Sequence, residues 1–257
     1  MFALRSRIAC FLVGGLMLVA GSAHAASADR PPALKALEEQ GLTIMQEFKV
    51  GGGLRAFAAV SGVQPVAVYV TSDGNAIVGT RLNPKGEPMD EASLEELAAK
   101  PASDREWSQL EASTWVLDGK ADAPRVIYTF SDANCPYCHL FWEASRPWVD
   151  AGKVQLRHVL VGIIKEDSPA KAAAILGASD RSAALELNER RFSQGGITPA
   201  KSVPADVSKM LDANLALMLN TGFRGTPGIV VRGANGVLRK YRGMPQGEKL
   251  DEVLGPR

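Results

Sequence analysis

The sequence predicts a chain of mixed α+β and α/β class. It comprises a small N-terminal unit of one helix and an antiparallel sheet, a helical connector, and a larger C-terminal α/β unit. Three stretches point to this. Asp73-Gly74 lies between two apolar runs, and a dipeptide that tolerates positive φ there signals a hairpin. Residues 89–113 are rich in Glu, Ala, Leu and Lys, as helices are. Cys135-Pro136-Tyr137-Cys138 stands directly behind the apolar run Val126-Ile127-Tyr128-Thr129-Phe130 and opens a helical pattern. The rest of the chain is organised around that last stretch.

The 257 residues are enough for one large domain or two ordinary ones. Met1 to Ala25 reads as a secretory signal: Arg5 and Arg7 start it, Ile8 to Ala20 is the apolar run, and Ala23-His24-Ala25 is the small-x-small site, with cleavage expected after Ala25. The run is shorter than the roughly 20 apolar residues of a spanning helix. The formal charge of +1 includes Arg5 and Arg7, so the exported chain is near neutral. Without a basic stripe there is no electrostatic case for nucleic acid. Cys10 leaves with the signal, which leaves Cys135 and Cys138. A bridge between cysteines this close constrains little chain entropy, so it explains itself poorly as a structural staple and better as chemistry.

The elements follow in order. Ala33 to Gln40 has helical spacing through Leu34 and Leu37, with Gly41 as its stop. Thr43–Phe48, Leu54–Val60, Pro65–Thr71 and Ala76–Leu82 read as strands. Gly51-Gly52-Gly53 is a turn; a phosphate loop would need a following Lys-Ser/Thr and a helix. Asn83-Pro84-Lys85-Gly86 is another turn. A unit of about 60 residues is near the lower limit for an independent core, so dimerisation through it is expected. In 89–113, Ser93 and Glu96 suggest a capping box, Leu94, Leu97 and Ala98 share a face, and Pro101 predicts a kink or two helical pieces. Trp115–Gly119 and Arg125–Phe130 are strands. A helix follows from Pro136, with Tyr137, Phe141, Ala144 and Trp148 on one face, and Pro147 is expected to kink or end it. Val154–Ile164 is a strand in which His158 is expected to serve packing. Helices are predicted in Ser168–Phe192 and Val207–Leu219, with loop between them. Thr226-Pro227 precedes the strand Ile229–Val231, Asn235-Gly236 turns the chain into Val237–Tyr241, and Gln246–Leu254 is the last helix.

Strand, CxxC helix, strand, helical stretch, Thr-Pro strand, hairpin strand and final helix is a thioredoxin-like order with an extra helical block in its middle. Residues 115–176, and above all the Cys-Pro-Tyr-Cys quartet and the run PWVDAGKVQLR at 147–157, resemble the periplasmic disulfide isomerase and reductase family of DsbC and DsbG, most nearly its DsbG branch. The resemblance covers nearly the whole exported chain. It implies a signal peptide at 1–25, a cystatin-like dimerisation domain at 26–88, a linker helix at 89–113, and a thioredoxin-like catalytic domain at 114–257 with its helical insertion at about 166–220. It also implies a periplasmic homodimer whose V carries the dithiols. Exported proteins with disulfides or oxidised cysteines would be its substrates, and a membrane thiol reductase of the DsbD type its electron donor. Pro227 would be a cis-proline facing the dithiol, and Thr226 the residue that sets how substrate backbone is held. No cofactor or metal is implied.

The chemistry expected of the motif starts from the helix terminus. Unpaired N–H groups and the positive dipole end favour a thiolate there, with CxxC pKa values of roughly 3.5–7.5 against about 8.5 for free cysteine. Cys135 is the candidate nucleophile and is expected to be accessible. Cys138, one turn inward, is the candidate resolving thiol. Pro136 and Tyr137 between them are expected to tune the reduced form. Isomerase or reductase work follows from the dimerisation unit, with sulfenic acids as a further substrate. Two rivals compete. One is a dimeric holdase with a secondary redox role. The other is haem c attachment through Cys135, Cys138 and an axial His139, which would need a small helical cytochrome around it. Two cysteines without a second pair do not make a structural zinc site. The sequence leaves the contribution of His139 open.

Overall fold

The structure is a computed structural model that describes residues 30–62 and 64–256. The expected signal segment and Cys10 lie outside the described residues.

The N-terminal unit opens with α1 (Pro32–Glu39), followed by four strands, β1 (Leu42–Phe48), β2 (Arg55–Ser61), β3 (Gln64–Val70) and β4 (Ala76–Gly79). They form one antiparallel meander in chain order. The alternation of β2 explains why it is buried on both sides. Phe57 and Ala59 pack with Val68, Val70 and Leu34 of α1, whereas Ala56, Ala58 and Val60 point to the opposite face, where Leu94 and Ala98 of the connector cover them. The hairpin at Asp73-Gly74 forms as predicted, with Gly74 at φ 85° and its N–H donating to the Thr71 carbonyl. β4 stops at Gly79, three residues before its predicted end; Leu82 makes only an isolated bridge to Pro88.

The connector is one continuous helical run: α2 (Glu91–Leu94), a π turn (Glu95–Ala99) and α3 (Lys100–Ala112). Pro101 does not break it. The Lys100 N–H donates to the Glu95 carbonyl five residues back, and this widened turn relieves the crowding a proline creates with the preceding turn. The predicted capping box does not form, because the helix begins two residues before Ser93. Asp90 precedes the helix but does not cap it. Its carboxylate is taken by the Tyr69 hydroxyl (2.8 Å) and by both arms of Arg81 (2.8 and 2.9 Å). The connector packs on both units. Leu94, Ala98 and Ala102 lie on the first sheet, while Trp107 and Leu110 join Tyr128, Phe130 and Val230 of the second. Trp107 meets the Tyr128 ring edge-on at 5.0 Å, and Ser103 Oγ accepts from the Leu238 N–H at 3.0 Å.

The C-terminal sheet has the order β5-β7-β6-β8-β9, with β5 (Val116–Asp118), β6 (Arg125–Ser131), β7 (Val154–Leu160), β8 (Gly228–Arg232) and β9 (Leu238–Arg242). Only β6 and β7 run parallel, joined by α4 (Pro136–Asp150). Alternate residues of β6 divide the core. Ile127 faces Phe141 and Trp148 of α4 and Val253 and Leu254 of α8 (Glu248–Leu254). Tyr128 and Phe130 face α3 and Met218 of α7 (Ala205–Asn220). A third cluster belongs to α5 (Ser168–Leu176), α6 (Arg181–Arg190) and α7.

Three expectations change here. Pro147 does not end α4, which runs to Asp150; the carbonyl left without its helical donor belongs to the exposed Glu143, where water can serve it. The buried face of α4 is Cys138, Phe141, Trp142, Ser145, Trp148 and Val149, and Tyr137 is outside it. β7 ends at Leu160 and not Ile164, because the N–H groups of Ile163 and Ile164 turn to the Asp132 carboxylate instead of a strand partner. His158 is buried within β7, with Nδ1 3.2 Å from Ser131 Oγ and Nε2 3.5 Å from Asp118 Oδ2, in line with a packing role.

Since Trp107 anchors the connector on the second sheet, Trp107→Ala should cost about 3–5 kcal/mol in urea unfolding, within the range for buried Trp truncations. A cost below about 1 kcal/mol would mean the helix is not fastened there.

Candidate active site

The dithiol lies where β6 runs out and α4 begins. Cys135 is the N-cap of α4 and adopts extended backbone (φ −82°, ψ 113°), while Pro136 occupies the first helical position, where a missing N–H is no loss. As N-cap, Cys135 uses sulfur where Ser or Asp would use oxygen: its Sγ accepts from the Cys138 N–H at 3.3 Å. The Cys135 thiol also donates to the Thr226 carbonyl at 3.5 Å. Thr226–Pro227 is a cis peptide, and it faces the dithiol from the start of β8. Gly228 follows because a Cβ there would stand 2.7 Å from the Phe223 ring.

Both cysteines are free thiols, and their environments push them apart. Cys135 is lowered to about 7, first by a hydrogen bond from Cys138, against burial, with the Thr226 hydroxyl and the N–H groups of Cys138 and Tyr137 adding to the effect. Cys138 is raised well above the ordinary thiol value, first by burial and then by its neighbour Cys135. One sulfur is therefore poised as a thiolate near neutral pH and the other is held as a thiol. The expected difference in accessibility is absent: Cys135 is 2% exposed and Cys138 4%. The asymmetry of the pair lies below the surface, in the deeper burial of Cys138 and in the hydrogen bonds that converge on Cys135. The Thr226 hydroxyl is buried without a hydrogen-bond partner among the described residues and lowers both sulfurs, so its O–H is available to whichever carries charge. Pro136 and Tyr137 are exposed over the pair, Tyr137 at 59%.

The loop that presents the dithiol hangs from one carboxylate. Asp132 is buried, and its Oδ1 accepts from the Asn134 N–H (2.9 Å) and the Ser168 hydroxyl (2.7 Å). Its Oδ2 accepts from the N–H groups of Ile163 (2.7 Å) and Ile164 (3.1 Å). Asn134 extends the network. Its amide donates to Ser168 Oγ and Asp167 Oδ1, both at 2.9 Å, and its Oδ1 accepts from Lys171 Nζ at 2.7 Å. Lys171 is buried and also donates to the Gly195 carbonyl at 2.7 Å. Sequence reading missed Asp132, Asn134, Ser168 and Lys171. The available signal was Asp132 and Asn134 flanking Ala133 in the four residues between a buried strand and the motif.

The structure brings Cys135, Cys138, Pro136, Tyr137, Thr226 and Pro227 to one locus. His139 points away from an axial-ligand role. Its Nδ1 lies 2.9 Å from Glu189 Oε2 and its Nε2 3.4 Å from Glu143 Oε1, and its ring stacks on Phe192. Among the described residues no group of three or more His, Cys, Asp and Glu side chains is placed to hold a metal, and no helix is long and apolar enough to cross a membrane.

Comparison with known proteins agrees with this geometry. A family model described as a thioredoxin-like domain matches residues 118–255. The thiol:disulfide interchange protein DsbG of Pseudomonas aeruginosa is 42% identical over 244 residues, covering 95% of each chain. Its namesake in Escherichia coli K12 is 39% identical over 245 residues, covering 93% of this chain and 97% of its own. Among solved structures, the catalytic domain of Proteus mirabilis ScsC superposes with a TM-score of 0.50 at 21% identity, over 60% of this chain and 96% of that domain, a likeness of fold.

Removing the hydrogen bond from Cys138 should weaken the thiolate. In Cys138→Ala the midpoint of the 240 nm thiolate absorbance should move from about 7 toward the free-cysteine value of roughly 8.5. Because the folded pKa lies below the unfolded one, this ionisation contributes stability that is complete above the unfolded value and is lost as pH falls through about 7. The reduced protein should therefore lose Tm relative to Cys135→Ser on acidification across that window, and parallel Tm profiles would contradict the assignment.

Proposed function

The chain belongs to the DsbG family of thiol:disulfide interchange proteins and is a thiol-disulfide oxidoreductase, and on that premise we propose that Cys135 is its nucleophile and Cys138 its resolving thiol. The observation that carries this reading is the place of Cys135 at the N-cap of α4, where its Sγ accepts from the Cys138 N–H at 3.3 Å, a setting that lowers Cys135 while burial raises Cys138. The Cys135 thiolate attacks a substrate disulfide, forming a Cys135–substrate mixed disulfide and expelling the other substrate sulfur as a thiolate. In isomerisation a second substrate thiolate attacks the mixed disulfide and returns Cys135 as a thiolate, with no net electron transfer. In reduction Cys138 loses its proton and attacks Cys135, releasing the substrate thiol and leaving a Cys135–Cys138 disulfide. Against a sulfenic acid, Cys135 displaces hydroxide from the oxidised sulfur, and Cys138 then resolves the same intermediate. Both reductive routes need an outside dithiol, for which a membrane thiol reductase of the DsbD type is the candidate.

The partners Cys135 meets are extended segments of exported proteins in the periplasm, and Thr226 and Pro227 hold their backbone. Pro136 and Tyr137 tune the reduced form. Residues 26–88 form the dimerisation domain, 89–113 the linker helix and 114–257 the catalytic domain, with the helical insertion at about 166–220. A homodimer is supported by β4, which is an edge strand whose Ile77 and Val78 are 54% and 45% exposed, beside the exposed Leu82 and Met89. A two-armed molecule suits disulfide correction and reduction better than oxidation.

In cell extracts, Cys138→Ser should accumulate mixed disulfides on a non-reducing gel, and Cys135→Ser should trap none and lose turnover. An untrapped Cys138→Ser would end the exchange mechanism as drawn. Val78→Asp should shift gel-filtration elution to a monomer if β4 is the meeting edge, while an unchanged elution volume would move the interface elsewhere.

A further inference from the structure

Consecutive residues of α6 hold the dithiol segment from both ends. Asn188 Nδ2 donates to the Ala133 carbonyl at 3.2 Å, two residues before Cys135, and Asn188 Oδ1 accepts from the Ile197 N–H at 3.0 Å. On the other side, Glu189 Oε2 lies 2.9 Å from Nδ1 of His139, the residue after Cys138. The His139 N–H closes the first helical hydrogen bond of α4 onto the Cys135 carbonyl at 3.1 Å. The imidazole lies flat on Phe192, with centroids 4.4 Å apart and planes 7° from parallel, and is 6.1 Å from the Trp142 ring. Its second nitrogen is 3.4 Å from the exposed Glu143.

Glu189 is buried, and burial raises its pKa against the hydrogen bond from His139. A buried carboxylate is costly unless paired, and two apolar side chains would fill this space without that cost. What the polar pair adds is direction. Stacking on Phe192 would let the ring slide in its plane, whereas the bond to Glu189 fixes it along that plane. The ring in turn fixes the first turn of α4, and with it the N–H groups of Tyr137 and Cys138 that lower Cys135.

We propose that Glu189 is a positioning residue for thiol exchange: through His139 it sets the first turn of α4 against the helical insertion and so sets the reactivity of Cys135. The proposal rests on Cys135 as the nucleophile. It gives His139 a role as an intermediary, and it makes α6 a working part of the catalytic unit.

The test uses the full-length reduced protein and three readings: Tm, the midpoint of the 240 nm thiolate absorbance, and the rate of exchange with glutathione disulfide at pH 7. The double variant His139→Phe/Glu189→Leu keeps a ring on Phe192 and fills the site with apolar groups. It should hold Tm within a few degrees, raise the midpoint by about one pH unit, roughly a tenfold change in ionisation constant, and slow exchange several-fold. His139→Lys, whose ammonium can reach Glu189, should bring the midpoint back below that of the double variant. A double variant that titrates near 7, or a His139→Lys protein shifted as far as the double variant, overturns the proposal. If the double variant does not fold, Glu189→Gln decides: it keeps shape and an acceptor but not the charge, and should show a smaller rise in the same direction, with no rise counting against the proposal. A midpoint near 7 that survives in Cys135→Ser would overturn both readings and trace the failure to the nucleophile.

Discussion

The Asp132 carboxylate is the constraint on which the presentation of the dithiol depends. It gathers donors from three separate places: the Asn134 N–H beside it, the paired N–H groups of Ile163 and Ile164 beyond β7, and the hydroxyl of Ser168 at the start of α5. The Asn134 N–H and the Ser168 hydroxyl belong to buried residues and would cost about 1–3 kcal/mol each if left unmade, while the N–H groups of the more exposed Ile163 and Ile164 gain a charged acceptor. A single acceptor thus ends one strand, shapes the loop after another, and orients the helix that follows. The position of Cys135 at the α4 terminus is a result of that arrangement, and the lowered thiol is a result of the position.

The two units solve the same problem at different scales. The small sheet is too thin to bury both its faces with α1 alone, so the connector covers the second face through Leu94 and Ala98. The larger sheet has helices on both sides and uses the connector as one of them, through Trp107 and Leu110. A helix expected from composition to be a spacer is therefore part of two cores. Lys240 and Glu106 add a 2.6 Å ion pair between the connector and β9, from half-buried positions where solvent screens it less than at the surface.

What could be read in advance was whatever the chain writes locally. The Asp73-Gly74 hairpin, the alternation of β2, the apolar run of β6 and the helix opening at Pro136 are all governed by neighbours in sequence, and each begins within a residue of its expected start. The failures are tertiary. Ile163 and Ile164 look like strand in Val154–Ile164, but the Asp132 carboxylate, some 30 residues earlier in sequence, bids for their N–H groups. Ser93-x-x-Glu96 looks like a cap, yet the helix starts earlier, with Asp90 already held by Arg81 and Tyr69. In the site, Cys135, Cys138, Thr226 and Pro227 were legible because spacing and a family likeness marked them. Asn134, Lys171, Asn188 and Glu189 were not, since a buried polar network has no periodicity and its members come from three elements.

The connector carries one further consequence. Its two apolar faces, Leu94-Ala98-Ala102 and Trp107-Leu110, are tied to different sheets by one unbroken stretch of backbone. At 3.6 residues per turn, inserting or deleting a single residue between them would rotate one sheet relative to the other by about 100° while leaving every side chain intact. The angle between the first sheet and the one that presents the sulfurs is thus stored as an integer, the number of residues between two faces, as well as in the contacts that fasten each face. Length here should be far less variable than composition.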